Sequence, residues 1–184
     1  MALTQGKVRI IGGLWRSRNI DFSSHMDLRP TPDRVRETVF NWLGQDLSGR
    51  TCLDLFAGSG VLGFEAASRG AERVVMVESN FQVSRALWAN KEKLKAEQVE
   101  LVTMNALEFI TSDLQRFDII FLDPPYRLEL LPKLLSLLPP HLVEDGLVYV
   151  EANDSLVLDK DWVVWRSGQA GKVFYQLLEL RANG

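Results

Sequence analysis

Apolar and polar positions along this chain change period in blocks, and the changes mark out its elements. Short apolar runs rich in β-formers fall at 51–56, 73–78, 99–104 and 117–122. Between them, 61–69, 80–95 and 106–111 carry apolar residues at helical spacing. Strand and helix alternating in this rhythm predict an α/β fold: a mostly parallel sheet with helices on both faces. A further helix is predicted over 128–138, stopped by Pro139 and Pro140, and then a strand over 146–151. The runs 163–166 and 173–180, joined by S-G-Q-A-G-K, predict a terminal hairpin. Ahead of the alternation, 7–13 and 18–22 predict a hairpin-like extension around Gly12, Gly13 and Trp15, followed by a loop over 23–27. A helix then opens at Thr31-Pro32, with Thr31 as N-cap, Pro32 in the first turn and Asp33 at the positive end of the dipole. Its apolar face is Val35, Val39, Trp42 and Leu43, and it ends between Gly44 and Leu47. Trp42 and Trp88 occupy apolar helical positions and are expected in the core; Trp162 and Trp165 are expected to pack the hairpin.

Composition narrows this picture. The 184 residues suit one domain, 1–184, divided into an N-terminal extension (1–30) and a core (31–184). Hydrophobic content of 46% and charged content of 24% are ordinary for a soluble protein. No apolar run is long enough for a membrane span, and the N-terminus lacks a signal-peptide core. The single Cys52 fits a reducing compartment, so a cytoplasmic location is expected. His25 and His141 stand apart, and no metal site is expected. A net charge of −3 argues against a nucleic-acid partner, but its distribution does not. The first 36 residues hold Lys7, Arg9, Arg16, Arg18, Arg29, Arg34 and Arg36 against Asp21, Asp27 and Asp33, an excess of four positive charges that leaves −7 elsewhere. A basic arm on an acidic body can hold a phosphate backbone locally. Trp15, in the same arm, could stack on a base.

Two stretches carry the chemistry. In T-C-L-D-L-F-A-G-S-G-V-L-G (51–63) a strand runs into Gly58, Gly60 and Gly63 at the spacing G-x-G-x-x-G, and a helix follows. Such a turn presents backbone N–H groups to a ligand. Glu78 stands 20 residues beyond Gly58, at the tip of the next strand, where an acid can accept from ribose hydroxyls. Together these predict a nucleoside-containing cofactor. The second stretch, F-D-I-I-F-L-D-P-P-Y (117–126), is a strand ending in Asp123, Pro124, Pro125 and Tyr126. The prolines stiffen the backbone and remove two donors, which leaves the carbonyls and the Asp123 carboxylate to accept from a ligand. Acceptors beside the flat face of Tyr126 suit a planar, amine-bearing group such as a nucleobase.

D-L-F-A-G-S-G (54–60), V-E-S (77–79), N-A (105–106) and D-P-P-Y (123–126) together resemble the motif set of S-adenosylmethionine (SAM)-dependent amino-methyltransferases. The opening blocks, V-R-I-I-G-G-L-W-R-S-R (8–18) and L-R-P-T-P-D-R-V-R-E-T-V-F-N (28–41), are similar to the narrower RsmD family, and the likeness runs from Val8 to G-K-V-F-Y at 171–175. The resemblance implies a Rossmann-like class I methyltransferase with a mostly parallel seven-stranded sheet and a C-terminal antiparallel hairpin. It implies methyl transfer from SAM, without a metal, to the N2 amine of one guanine in 16S rRNA, within the small ribosomal subunit or its assembly intermediate. A monomer is expected. Asp54, Phe56, Ala57, Gly58 and Gly60 would surround the amino-acid moiety of SAM, Glu78 the ribose, and Asn105 and Ala106 the adenine edge. Many relatives carry Asp where Asn105 stands. Asp123, Pro124, Pro125 and Tyr126 would be catalytic, Arg9, Arg16, Arg18 and Arg29 would bind RNA, and Thr31 and Arg36 would border the cofactor's carboxylate. Three alternatives stay open: another acceptor amine (adenine N6 or a protein glutamine), a nicotinamide-dinucleotide oxidoreductase, and a non-catalytic ribosome-assembly protein.

Overall fold

The computed structural model of the chain describes residues 5–23, 28–125, 129–152 and 158–182. The expected loop at 23–27 falls almost wholly outside them, and so does Tyr126. Strands β1 (Gln5–Arg9) and β2 (Asn19–Ser23) form an antiparallel pair, and α1 (Asp33–Leu43) leads into the core. The alternation then runs β3 (Thr51–Asp54), α2 (Val61–Ser68), β4 (Arg73–Glu78), α3 (Phe81–Leu94), β5 (Val99–Thr103), α4 (Ala106–Ser112) and β6 (Phe117–Leu122). The chain closes with α5 (Leu131–Leu137), a short 3-10 turn (Pro139–His141), β7 (Leu142–Ala152), β8 (Trp162–Ala170) and β9 (Val173–Leu180). The main sheet has seven strands in the order β5-β4-β3-β6-β7-β9-β8; β3 to β7 pair in parallel, and β9 pairs antiparallel with both β7 and β8.

The chain leaves β3 toward one edge, through β4 and β5, and then returns to β3's other side for β6 and β7. The seam between β3 and β6 is therefore the point where the connections diverge, and open α/β sheets bind ligands at the carboxyl ends of such strands. Side chains alternate between the two faces. Cys52, Val74, Met76, Phe121 and Tyr149 pack with Phe40, Phe64 and Leu87 of α1, α2 and α3. Leu53, Val75, Ile120, Leu122 and Val150 pack with Phe109 of α4 and Leu134 of α5.

Several elements differ from expectation for local reasons. Helix α5 starts at Leu131, with Pro132 in its first turn, rather than at 128. Strand β7 starts at Leu142 and absorbs the Asp145-Gly146 turn signal as an irregularity, Asp145 taking φ 62°. Strand β8 runs to Ala170, so the hairpin turn is Gly171-Lys172 alone; Gly168 stays in the strand because the Tyr175 ring lies where its Cβ would be. Thr31 is not the cap of α1: Pro32 is, and the Thr31 hydroxyl bonds Glu151 instead. Trp42 is half-buried and stacks on Tyr175, and Trp162 is buried. Trp88 is 47% exposed, beside the Val83–Leu87–Leu94 stripe that α3 buries, with the Lys91 ammonium over its ring. Trp165 is also exposed, next to a register shift in β8.

The N-terminal pair lies along α2 and α3. Glu65 accepts from the backbone N–H of Ile11 and Gly12, and Ser68 Oγ accepts from Trp15 N–H at 2.9 Å. Asn90 bonds both backbone groups of Asp21. Trp15 is 5% exposed in this packing, which removes it as a surface for a base.

Candidate active site

An acid closes or directly follows four of the five parallel strands: Asp54, Glu78, Asp123 and Glu151. Register sets their depth. Asp54 is level with Met76 and Phe121, so Glu78 and Asp123 lie two residues nearer the strand ends, about 6–7 Å higher. Leu122 pairs with Val150, which puts Asp123 level with Glu151 on the neighbouring strand. Alternation turns all four toward the α1–α3 face. The crevice that an open α/β sheet forms at such a seam would have Asp54 at its floor and the other three nearer its rim.

Asp54 is 1% exposed and accepts the Gly63 N–H of α2 at 3.1 Å. Burial pushes its carboxyl up to about 7; the Gly63 bond pulls it back and the charge of Glu78 raises it further. Asp123 is half-buried, and its carboxyl is raised well above the ordinary range by burial first, then by Glu151 and Asp54. Glu78 is held toward the glycine turn, Oε1 accepting Gly58 N–H at 3.0 Å and Oε2 accepting Asn80 N–H at 2.9 Å. Among the described residues no Lys or Arg forms an ion pair with Asp54, Glu78 or Asp123. No group of three or more potential metal ligands occurs among them either.

The glycines divide by task. Gly60 has φ 85°, and a Cβ there would meet Leu87 and Phe64 at 2.6 and 2.7 Å; one on Gly63 would meet the Met76 sulfur at 2.9 Å. Gly63 is small so that α2 can pack on β4, and a side chain at Gly60 would strike Leu87 of α3 and Phe64 of α2 rather than a ligand. Gly58 (φ 55°) meets only Leu28 at 3.6 Å and Phe56 O at 4.0 Å, and its surface borders open space. Phe56 is half-buried and Ala57 buried, the latter donating its N–H to Val77 O. Asn105 is exposed, and its Oδ1 caps α4 by accepting from Leu107 and Glu108 N–H; Ala106 beside it is buried. After β6, Pro124 is buried and Pro125 exposed.

The segment 28–31 crosses the mouth of the cleft, from Leu28 above Gly58 to Thr31, whose Oγ1 donates to Glu151 Oε2 at 3.2 Å. Tyr149 OH donates to the same oxygen at 2.9 Å. Glu151 is the site residue that motif reading misses. Its signal was the one that flags Glu78 and Asp123, an acid at the carboxyl end of an apolar strand.

The basic residues separate as well. Arg29, on the crossing segment, is exposed, and Arg9 is exposed 3.7 Å from Asp33 at the start of α1. Arg16 and Arg18 lie in the connection between β1 and β2, close to Arg9, and beside the last turns of α2 and α3, where Arg18 donates to Lys93 O. Arg36 does not border the cleft. It is fully buried, bonded to Thr31 O and Arg9 O and paired with Asp33 and Glu65. Burial pulls its guanidinium below the ordinary value while Glu65 and Asp33 hold it up. A separate groove of about 350 Å³ at the amino end of the strands, lined by Trp42, Arg50, Asp145 and Trp165 among others, contains none of these residues.

The seven-stranded sheet with its terminal hairpin is the architecture of a class I SAM-dependent methyltransferase. Residues 8–179 match the family model described as "Conserved hypothetical protein 95". The chain is 41% identical over 184 residues to "Ribosomal RNA small subunit methyltransferase D" of Escherichia coli K12, covering 97% of this chain and 93% of that one. It is 40% identical over 183 residues to the Haemophilus influenzae protein of the same name, with 95% of each covered. A solved structure titled "Putative methyltransferase yhhF from Escherichia coli" superposes with a TM-score of 0.87 at 40% identity, covering 97% of this chain and all of that one. The chain therefore belongs to the RsmD family of SAM-dependent methyltransferases. That membership sets aside the nicotinamide-dinucleotide reading.

Proposed function

We propose that the protein transfers a methyl group from SAM to the exocyclic N2 amine of a guanine in 16S rRNA. The observation that carries this reading is the pairing across the β3/β6 seam. A deep carboxyl, Asp54, lies behind a second one, Asp123, that is stiffened by prolines and stands at the rim. In this reading Asp54 would hold the ammonium of SAM, Glu78 its ribose hydroxyls, the Gly58 turn its amino-acid arm, and Asn105 and Ala106 its adenine edge. When bound, SAM supplies a methyl group made electrophilic by the sulfonium.

This chain's residues then have two tasks. Asp123 and the Pro124 carbonyl accept from the two N–H bonds of the amine, whose lone pair is delocalised into the ring. Their pull turns the nitrogen toward tetrahedral geometry and aims the lone pair, so catalysis is mostly positioning by preorganised acceptors. Once the methyl has passed from sulfur to nitrogen, with S-adenosylhomocysteine as the other product, the nitrogen is strongly acidic, and its proton passes to the Asp123 carboxylate or to water. Tyr126 follows Pro125 in the chain and would stack on the extruded base. Arg29 and Arg9 would carry phosphates toward the cleft, with the small ribosomal subunit or its assembly intermediate as substrate and the cytoplasm as the place of action. The test is methylation of small subunits from cells that lack this gene, with the product nucleotide mapped by mass spectrometry. N2-methylguanine in the 16S rRNA is the expected product. N6-methyladenine, or label in a protein, would overturn the guanine assignment.

A further inference from the structure

Glu151 is not in the motif set, yet it occupies the position beside Asp123. The Leu122–Val150 pairing sets the two acids level on adjacent parallel strands, about 5 Å apart at the backbone and turned to the same face. Glu151 is 6% exposed, and hydroxyl donors from two elements orient it: Tyr149 on its own strand and Thr31 on the segment crossing the cleft. Both act on Oε2. Two carboxyls side by side form an acceptor–acceptor pair. On its Watson–Crick edge guanine carries N–H donors at N1 and N2, whereas adenine carries a donor at N6 and a lone pair at N1.

We propose that Glu151 selects the base: with Asp123 on the amine, the Glu151 carboxylate accepts the ring N1–H and repels any base that has a lone pair there. This rests on the proposed guanine N2 reading and deepens it. A donor–donor edge satisfies both acids at once. An amine next to a ring lone pair would leave Glu151 facing another acceptor, and a hydrogen bond to a charged group removed in this way costs roughly 10- to 150-fold.

The test replaces the target guanine by 2-aminopurine, which keeps the N2 amine but has a lone pair at N1. The protein should methylate guanine-bearing RNA about 10- to 150-fold more efficiently (kcat/KM) than the 2-aminopurine RNA. In Glu151→Gln the amide oxygen can still accept from Thr31 and Tyr149, while its NH2 can donate to a ring lone pair. That variant should lose on guanine, gain on 2-aminopurine and bring the ratio within about tenfold of unity. Affinity for the two RNAs measured without SAM should shift in the same sense, and the melting temperature of Glu151→Gln shows that the fold is kept. Equal use of both bases by the parent, or a parent-like ratio in a folded Glu151→Gln, would overturn the role of Glu151. Absence of any N2-methylguanine from the parent would instead overturn the reading on which it rests. Should Glu151→Gln fail to fold, the parent's ratio on the two bases and a Thr31→Val variant, which removes one of the two orienting donors, decide the matter; preference should fall in Thr31→Val, and unchanged preference would count against the proposal.

Discussion

Two regions of this molecule bury acids, and they do it in opposite ways. Under the N-terminal extension, Glu65 is fully buried but surrounded: Arg36 and Arg69 pair with it, and the N–H groups of Ile11 and Gly12 donate to it. At the strand ends, Asp54 is as deeply buried with, among the described residues, one backbone donor and no ion pair, and its carboxyl is pushed up to about 7. A buried charge with its partners inside the chain holds the fold together. One whose partners are missing costs stability and persists at sites where a ligand supplies the counter-charge. The first region is structure; the second suits the proposed site, whose cofactor carries an ammonium and a sulfonium.

The sharpest way to break this comparison is at the rim. Asp123→Ala should lower methyl transfer by at least about 10²- to 10³-fold, since it removes an acceptor aimed at the reacting amine. SAM affinity by calorimetry should stay near that of the parent. Retained turnover in a labelled-methyl assay would take Asp123 out of the chemistry.

The paired region should respond in stability instead. Glu65→Ala leaves Arg36 and Arg69 facing each other and strips the acceptor from Ile11 and Gly12. Removing one partner of a buried pair costs about 3–5 kcal/mol, or roughly 6–20 °C in Tm for a chain of this size. A loss below about 2 °C would show that the extension is held mainly by its apolar contacts.

Much of this was legible in the sequence, and the reasons for the rest are physical. The strand–helix rhythm and the glycine turn are local patterns, so β3 to β6 with their helices came out within a few residues of expectation. Asp54, Glu78 and Asp123 could be found because each ends an apolar run. Glu151 ends one too, but its relation to Asp123 depends on the pairing of β6 with β7, which no local pattern carries. The role of Arg36 was misread for the same reason. Its partner Glu65 is 29 residues away and fully buried, so a basic residue in a basic arm turned out to be an internal charge. Trp88, expected in the core, is exposed, and Trp15, which could have stacked on a base, is buried, because residue type says nothing about which side of an element meets a neighbour.

Asp54→Asn sharpens the comparison by turning cost into gain. The folded-state pKa of Asp54 is raised, from 3.8 to about 7. A raised carboxyl contributes stability below the unfolded value, near pH 4, and that stability is lost as pH rises to about 7. The Asn variant keeps an acceptor for Gly63 and carries no charge. Its melting temperature should exceed the parent's by a margin that opens between about pH 4 and pH 7 and stays flat above. The margin should reach several degrees, for a gain of at most about 4 kcal/mol from a pKa difference of this size. Loss of SAM binding should accompany it, and saturating SAM should restore the parent to the level of the variant. A variant that melts below the parent at pH 8 would mean that Asp54 is stabilising the apo fold.

The smallest effect separates the outward charges of the same arm. Arg29 is exposed on the segment that crosses the cleft, whereas Arg16 and Arg18 sit beside the last turns of α2 and α3, with Arg9 next to Arg18 through the Arg9–Asn19 pairing. Arg29→Glu should weaken RNA binding several-fold at low salt and lower the slope of log K against log salt by about 1, the value for one lost phosphate contact. Arg16→Glu should do less, because an RNA whose base enters between Asp54 and Asp123 reaches those turns only if it wraps along the hairpin. Tm should stay within about 1–2 °C in both, as expected of surface substitutions. Titration of each variant against small-subunit RNA at two salt concentrations tests this ordering. If Arg16→Glu proves the more damaging, the footprint runs the length of the extension, and the N-terminal pair is part of the RNA surface rather than a brace for the cleft.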